Sequence, residues 1–160
     1  MSTRCQIQFS EDDYSYKQER VLIYKHHDGY PDGEHGVINL LTRFFKWNGN
    51  NTDMEYLTAN FIFFCKLESI HHMNLNTKEI KKTCKDTNRK VETIESIINP
   101  KPNSYRGELY GMGICQPNDF HGDIEYVYYV NITSENGISV EVKDSPRVSS
   151  KTISTHILEV

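Results

Sequence analysis

The hydrophobic period of this chain changes twice along its length, and this change limits the folds that the chain can adopt. Near the N-terminus, residues 3–9 alternate apolar and polar side chains, which is typical of a strand with one buried face. Residues 20–26 contain a short apolar run, Val21 to Tyr24, which predicts an inner strand covered on both faces. The acidic and polar residues 10–19 between them predict a hairpin connection.

The middle of the chain has helical spacing instead. Apolar residues recur at this spacing over 37–45, and the pattern ends near Gly49. Thr52 and Glu55 fit a capping box, so we expect a second helix that has Thr52 as its N-cap and frays near residues 71–72. Its predicted apolar face consists of Met54, Leu57, Phe61, Phe64 and Cys65.

Strand patterns return in the last third. Residues 123–132 carry the strongest of them, with Ile124, Tyr126, Tyr128, Val130 and Ile132 expected on one face. The tight-turn sequence at 135–137 predicts that 138–142 pairs back as a hairpin, and further strands are expected within 108–115 and 152–160. This order of elements predicts an α+β fold: an antiparallel sheet of about five to six strands, with two or three helices packed on one face.

The length of 160 residues fits a single domain, 1–160. Residues 74–104 are a candidate insertion or mobile arm, because their pattern is the least regular and they are locally basic. Within this segment, Val91, Ile94 and Ile98 suggest a short amphipathic helix that stops before Pro100.

Charge and composition narrow the classes of partner. The formal net charge is −4, which argues against broad nucleic-acid binding and against attraction to anionic membranes. Residues 1–6 lack the apolar core of a signal peptide, and the longest apolar stretch, 61–65, is too short to cross a bilayer. We therefore expect a cytoplasmic protein, located in the host cytoplasm if it is viral.

Cysteine spacing and aromatic content give two further expectations. The four cysteines are widely and irregularly spaced, so we expect four free thiols: Cys5, Cys65, Cys84 and Cys115. The chain also contains 10 Tyr, 7 Phe and 1 Trp. Much aromatic surface, with edge strands at both ends of a short chain, predicts a homodimer.

The most distinctive segment is 24–36, which reads Tyr-Lys-His-His-Asp-Gly-Tyr-Pro-Asp-Gly-Glu-His-Gly. It resembles a pattern found in a family of small prokaryotic and viral proteins. That pattern opens with Met-Ser-Thr-Arg, carries a Tyr-x-His-x-Asp-Gly-Tyr-Pro loop, and later shows a Gly-rich strand and Asp-Ile-Glu-Tyr. The matching residues here are 1–4, 24–31, 110–114 and 123–126, so 48–104 is largely unmatched. The resemblance implies kinship and transfers no activity.

This segment joins a predicted strand to a helix N-terminus, where unpaired backbone N–H groups and the helix dipole favour an anion. Its glycines would let a ligand approach the backbone closely, and nearby tyrosines could stack a base. We therefore predict a nucleotide-like or phosphorylated ligand and no cofactor. The predicted ligand-binding residues are Arg4, Lys25, His26, His27, Asp28, Gly29, Tyr30, Gly33, His35, Arg43, Tyr110, His121, Asp123 and Tyr126.

Three other interpretations of the same residues stay open. The segment could be a structural turn, since Asp-Gly occurs in it twice and Pro31 fixes φ. A metal site could draw on the histidine and aspartate residues His26, His27, Asp28, Asp32 and His35, with His121 and Asp123 approaching from the later strand. However, His26 and His27 as consecutive strand residues point to opposite faces, and no spacing matches a known metal motif. Hydrolysis would use a histidine as general base, oriented by Asp123 or Glu125, although the sequence contains no nucleophile elbow or Walker loop.

The leading hypothesis is thus a small-molecule binding module that sequesters its ligand in a viral or mobile-element counter-defence role. The viral context comes from the family resemblance. One alternative is a small phosphodiesterase or nuclease that uses histidine and acidic residues. Another is a protein–protein inhibitor that acts through its aromatic and acidic surface.

Overall fold

A computed structural model describes residues 3–11, 20–49, 51–75, 111–133 and 137–160 of the chain. Within these ranges there are six strands and two helices. In chain order they are β1 (Cys5–Glu11), β2 (Arg20–Lys25), α1 (Val37–Asn48), α2 (Met54–Leu75), β3 (Met112–Cys115), β4 (Tyr126–Thr133), β5 (Gly137–Asp144) and β6 (Thr152–Leu158). The predicted α+β class and the predicted number of strands are confirmed.

The strands form one mixed sheet in the order β3-β2-β1-β4-β5-β6. Four of its neighbouring pairs are antiparallel, including the predicted hairpin of β4 and β5. The pair of β1 and β4 is parallel, with Cys5 opposite Tyr126 and Phe9 opposite Val130. The sheet is therefore mostly antiparallel rather than purely so, because the helices separate β1 and β4 in sequence and let β4 return in the direction of β1.

The hydrophobic core lies on one side of this sheet. Alternate residues of the central strands are buried there, as the twofold period of a strand requires: Cys5, Ile7, Phe9, Ile23, Tyr128, Val130, Ile132, Ile138, Val140 and Val142. The same cluster contains Leu41 and Phe44 of α1 and Leu57 and Phe61 of α2. The ring of Phe9 contacts Phe61 edge-on, with 5.2 Å between the ring centroids. The placement of the helices on a single face stays a prediction.

The helix boundaries follow local chemistry, with one correction at the start of α2. The Asp53 side chain accepts hydrogen bonds from the backbone N–H groups of Glu55 (3.1 Å) and Tyr56 (3.2 Å). Asp53 is therefore the N-cap, and the prediction of Thr52 was wrong by one residue. All five predicted apolar-face residues of α2 are buried, and the helix continues to Leu75 instead of fraying near 71–72.

Several predictions fall outside the described residues. These are the connection over 12–19, the basic segment over 76–104, the first part of the strand predicted at 108–115, the turn residues 134–136, Tyr110 and Cys84. In the part of the chain that the structure describes, no helix is long and apolar enough to cross a membrane.

Candidate functional site

The sheet topology brings three chain segments to one end of the sheet. Because β1 and β4 are parallel, their N-terminal ends lie side by side, and Glu125 donates its backbone N–H to the Arg4 carbonyl at 2.8 Å. Because β2 runs antiparallel to β1, its C-terminal end lies there too. The residues just before β1, just before β4 and at the end of β2 therefore meet. We call the five polar residues gathered there the Tyr24 cluster: Arg4, Tyr24, His26, His121 and Asp123.

The Tyr24 cluster contains a partly exposed ion pair. Arg4 Nη1 lies 3.1 Å from Asp123 Oδ2, and the two side chains are 33% and 48% exposed. A pair this accessible contributes little to stability. Arg4 Nε is buried and has no hydrogen-bond partner among the described residues, so this guanidinium retains a donor that the fold does not satisfy.

Tyr24 connects the two histidines of the cluster. Its hydroxyl shares a hydrogen bond of 2.9 Å with His26 Nδ1, and its ring stacks on the exposed His121 ring with 4.5 Å between centroids and 24° between planes. Burial and then the neighbouring Asp123 carboxylate raise the pKa of the Tyr24 hydroxyl above its ordinary value. The hydroxyl therefore stays protonated at neutral pH and remains a hydrogen-bond donor.

A buried glutamine fixes the connection between β3 and β4 over this side of the sheet. Gln6 is fully buried, and its side-chain oxygen accepts the backbone N–H of His121 at 3.0 Å. Its side-chain nitrogen donates to the Asp119 carbonyl at 3.0 Å and to Cys115 Sγ at 3.4 Å. Each polar atom of the Gln6 amide is thereby satisfied, which is what its burial requires. The arrangement holds His121 over the sheet.

A second guanidinium lies on the same connection. The side chain of Arg147, from the turn between β5 and β6, packs directly on the Cα of Gly122, so that a side chain at Gly122 would collide with it. Arg147 is exposed, and no carboxylate in the described ranges pairs with its guanidinium. Two arginines thus flank the tripeptide His121-Gly122-Asp123.

The predicted loop over 25–36 satisfies its own polar groups to a large extent. The N–H groups of Val37 and Ile38, at the start of α1, donate to the carbonyls of Tyr30 (2.9 Å) and Pro31 (3.3 Å). Lys25 Nζ donates to the carbonyls of His27 and Asp28. The expected open cradle of amide groups is therefore not formed by these two N–H groups, and Lys25 closes the loop on itself.

Gly29 and Gly33 have different roles in this loop. Gly29 packs against β1, where a Cβ would lie 2.8 Å from the Cys5 nitrogen, and its backbone bonds to Thr3 and to the Tyr128 hydroxyl. Gly33 has a φ of +92°, a conformation that favours glycine. Gly33 is thus suited to its position by its backbone conformation, and Gly29 by the close backbone contact that excludes a side chain.

Of the remaining predicted site residues, some lie in the loop and the helices, away from the Tyr24 cluster, and others are its direct neighbours. Arg43 donates through Nε and Nη2 to Glu68 Oε2 and through Nη1 to the Glu34 carbonyl, which ties the loop to both helices. Asp28 and His35 are exposed in the loop, and Tyr30 is half-buried. His27 packs edge-on against His26, with 4.6 Å between ring centroids, and Tyr126 lies next to Tyr128 in the core.

Sequence reasoning missed three residues of the site: Gln6, Cys115 and Arg147. Gln6 is one of several polar residues that alternate along β1, and nothing local distinguishes it from Gln8. Arg147 lies in an ordinary turn sequence, Asp-Ser-Pro-Arg. Gln6 contacts Cys115 and His121, and Arg147 contacts Gly122, across more than 20 residues of sequence, so no local pattern could have indicated these contacts.

The described thiols and carboxylates do not gather into a metal site. Cys5, Cys65 and Cys115 are free thiols. In the described ranges, no group of three or more histidine, cysteine, aspartate or glutamate side chains is placed to hold a metal ion. Comparisons with protein-family models, with curated proteins and with solved structures found no match to this chain.

Proposed function

We propose that this chain is a small-molecule binding module that sequesters a nucleotide-like or phosphorylated ligand at the Tyr24 cluster. One observation carries the proposal: a stacked pair of rings, Tyr24 and His121, lies beside the guanidinium groups of Arg4 and Arg147. An exposed aromatic ring stacks on a nucleobase, and a guanidinium binds phosphate oxygens through paired donors.

An anionic ligand fits the charged side chains at the Tyr24 cluster better than it fits the charged side chains of the loop at 25–36. In that loop, Asp28, Asp32 and Glu34 are exposed, and two amide groups at the start of α1 are already bonded. At the Tyr24 cluster, the guanidinium group of Arg4 pairs only with the exposed carboxylate of Asp123 in the described ranges, and that of Arg147 lies against Gly122. A ligand phosphate could replace Asp123 as the partner of Arg4, because an exposed ion pair is easily exchanged.

The biological setting belongs to the same proposal. A counter-defence role in the cytoplasm of a host cell, in which the protein removes a nucleotide signal by binding it, suits a small binding module. The viral or mobile-element origin is supported by the sequence resemblance alone. We also propose that the functional unit is a homodimer.

The test is a calorimetric titration of the protein with a panel of mononucleotides and cyclic dinucleotides. For a nucleotide that binds, we expect Arg147→Gln and Tyr24→Leu each to weaken affinity by roughly tenfold to a hundredfold, the range for losing a charge-assisted hydrogen bond or a stacked base. Arg20→Gln is the matched control, since it removes one positive charge at the opposite end of β2 and should leave affinity unchanged. Equal affinity in all four proteins would contradict the proposal.

A phosphodiesterase is the second candidate, favoured by the contact of Tyr24 with two imidazoles. His26 shares a hydrogen bond with the Tyr24 hydroxyl and His121 stacks on its ring, so two groups able to exchange protons flank one phenol. Denaturing the protein after incubation with the bound nucleotide separates the two functions. Recovery of intact nucleotide supports binding alone, recovery of a cleaved product supports hydrolysis, and no retained nucleotide supports a protein–protein inhibitor.

A further inference from the structure

Next to the Tyr24 cluster, a thiol and an imidazole are in direct contact. Cys115 Sγ, at the end of the edge strand β3, lies 3.5 Å from His121 Nε2. Cys115 is partly accessible and His121 is exposed, so a small reagent can reach both. Cys5 and Cys65 are buried in the core and cannot be reached without unfolding.

The contact is held from both sides by groups that the fold fixes. Gln6 donates to Cys115 Sγ and accepts the backbone N–H of His121, so one fully buried amide positions both partners. The Tyr24 ring, stacked on His121, sets the plane of the imidazole. A nucleophile, a base within hydrogen-bond reach and a third group that orients the base are the parts of an activated nucleophile.

We propose that Cys115 is a nucleophilic thiol that uses His121 as its base and forms mixed disulfides with low-molecular-weight disulfides. His121 Nε2 takes the proton of the Cys115 thiol, and the resulting thiolate attacks one sulfur of the reagent. A new S–S bond forms, the S–S bond of the reagent breaks, and the leaving thiolate takes the proton from the His121 imidazolium. The proposal does not depend on the nucleotide ligand.

The charged and polar surroundings explain why the base is needed. Burial raises the pKa of the Cys115 thiol above its ordinary value, the Gln6 hydrogen bond lowers it, and the nearby Asp119 carboxylate raises it. The thiol therefore keeps its proton at neutral pH when it acts alone. General-base assistance by an adjacent imidazole removes that barrier, as in other Cys–His pairs.

The experiment uses the full chain with Cys84→Ser, because Cys84 lies outside the described residues and its signal must not be counted with that of Cys115. The probe is dithiodipyridine, an uncharged disulfide, and the reaction is followed by the absorbance of the released pyridinethione at neutral pH. We expect one rapid equivalent, assigned to Cys115 by peptide mass mapping and absent in Cys115→Ser. Cys5 and Cys65 should react only after denaturation.

Two variants test the base. His121→Asn and His121→Phe should each slow the reaction of Cys115 by roughly a hundredfold or more, the low end of general-base assistance, and the Phe variant keeps a ring over Tyr24. His156→Asn, at a histidine on β6, should react like the parent. Melting temperatures show whether each variant is folded. A rate in both His121 variants equal to or above that of the parent, or a rapid phase that survives Cys115→Ser, would overturn the proposal.

Discussion

Gly29 fixes the position of the loop at 25–36 although it has no side chain. An alanine Cβ at Gly29 would lie 2.8 Å from backbone atoms of Arg4 and Cys5, so Gly29→Ala should lower the free energy of unfolding by about 1–3 kcal/mol, as overpacking does. Gly33→Ala meets no close atom but must adopt a φ of +92°, which costs about 1–2 kcal/mol. Gly113→Ala, on β3, faces open space and is the control. Denaturant unfolding of the three variants measures these differences, and equal stability of Gly29→Ala and Gly113→Ala would contradict the described packing.

The Tyr128 hydroxyl is the buried partner of the same loop. It donates to the Gly29 carbonyl at 2.8 Å, and Tyr128 is fully buried. Tyr128→Phe should leave this carbonyl unsatisfied and lower the free energy of unfolding at pH 7 by about 1–3 kcal/mol. Urea unfolding of the two proteins measures this loss.

The same substitution should also change the dependence of stability on alkaline pH. Burial raises the pKa of Tyr128, so the folded phenol stays neutral where the unfolded phenol ionises, and its contribution is lost as pH rises above about 10. Because the ordinary tyrosine pKa is about 10, this loss begins near that pH. Between about pH 10 and pH 11, Tyr128→Phe should therefore lose less free energy of unfolding than the parent. The thiols of Cys5 and Cys65, whose pKa burial raises to about 12, act in the same direction in both proteins and cancel in the comparison.

At the scale of the helix, the start of α2 depends on one side chain. Asp53 accepts two backbone N–H groups, whereas Thr52 is exposed and precedes the cap. Asp53→Ala should lower the free energy of unfolding by about 1 kcal/mol, the usual effect of losing an N-cap. Thr52→Ala should change it by less than about 0.5 kcal/mol, as surface substitutions generally do. Thermal unfolding of both variants measures these losses. A larger loss in Thr52→Ala than in Asp53→Ala would show that Thr52 is the N-cap after all.

Elements were predictable from sequence because each depends on a local period. The alternation over 123–132 and the helical spacing over 37–45 correspond closely to β4 and α1. The parallel pairing of β1 with β4 was not predictable, because it joins segments more than 100 residues apart and leaves no local pattern. The N-cap was misplaced because Thr52 and Asp53 are adjacent and both belong to the residue types that cap helices, although aspartate is the stronger of the two.

The candidate site was predictable in residue type and less so in position. Arg4, His26, His121 and Asp123 were named from the sequence and do meet at one end of the sheet. Lys25 and Arg43 were named for their charge, but the structure pairs Lys25 with loop carbonyls and Arg43 with Glu68. A side chain's charge is visible in a sequence, whereas the partner that neutralises it depends on the tertiary fold.

At the scale of the whole molecule, α2 is apolar around much of its circumference. One side carries the buried residues Leu57 and Phe61, and another exposes Tyr56, Phe63 and Leu67, with Trp47 of α1 packed next to Phe63. We call these four exposed side chains the α2 stripe. Each is about half exposed, so together they present roughly 400 Å² of surface, the size of a functional patch on a monomer. A helix that is apolar on several sides usually has a partner on each of them.

We therefore expect the homodimer to form through the α2 stripe of each copy. The stripe contains no charged side chain among its four residues, so two copies can pack it against itself without repulsion, as a twofold interface requires. Light scattering of the wild-type protein at high micromolar concentration should give about twice the chain mass of 18.7 kDa.

Phe63→Glu should give the monomer mass, because it would bury two carboxylates without partners. Ile157→Glu is the matched control, since it places the same charge at an exposed position on the edge strand β6, away from the stripe. A monomeric wild type would contradict the dimer, and a dimer lost in Ile157→Glu but kept in Phe63→Glu would move the interface to the sheet edge.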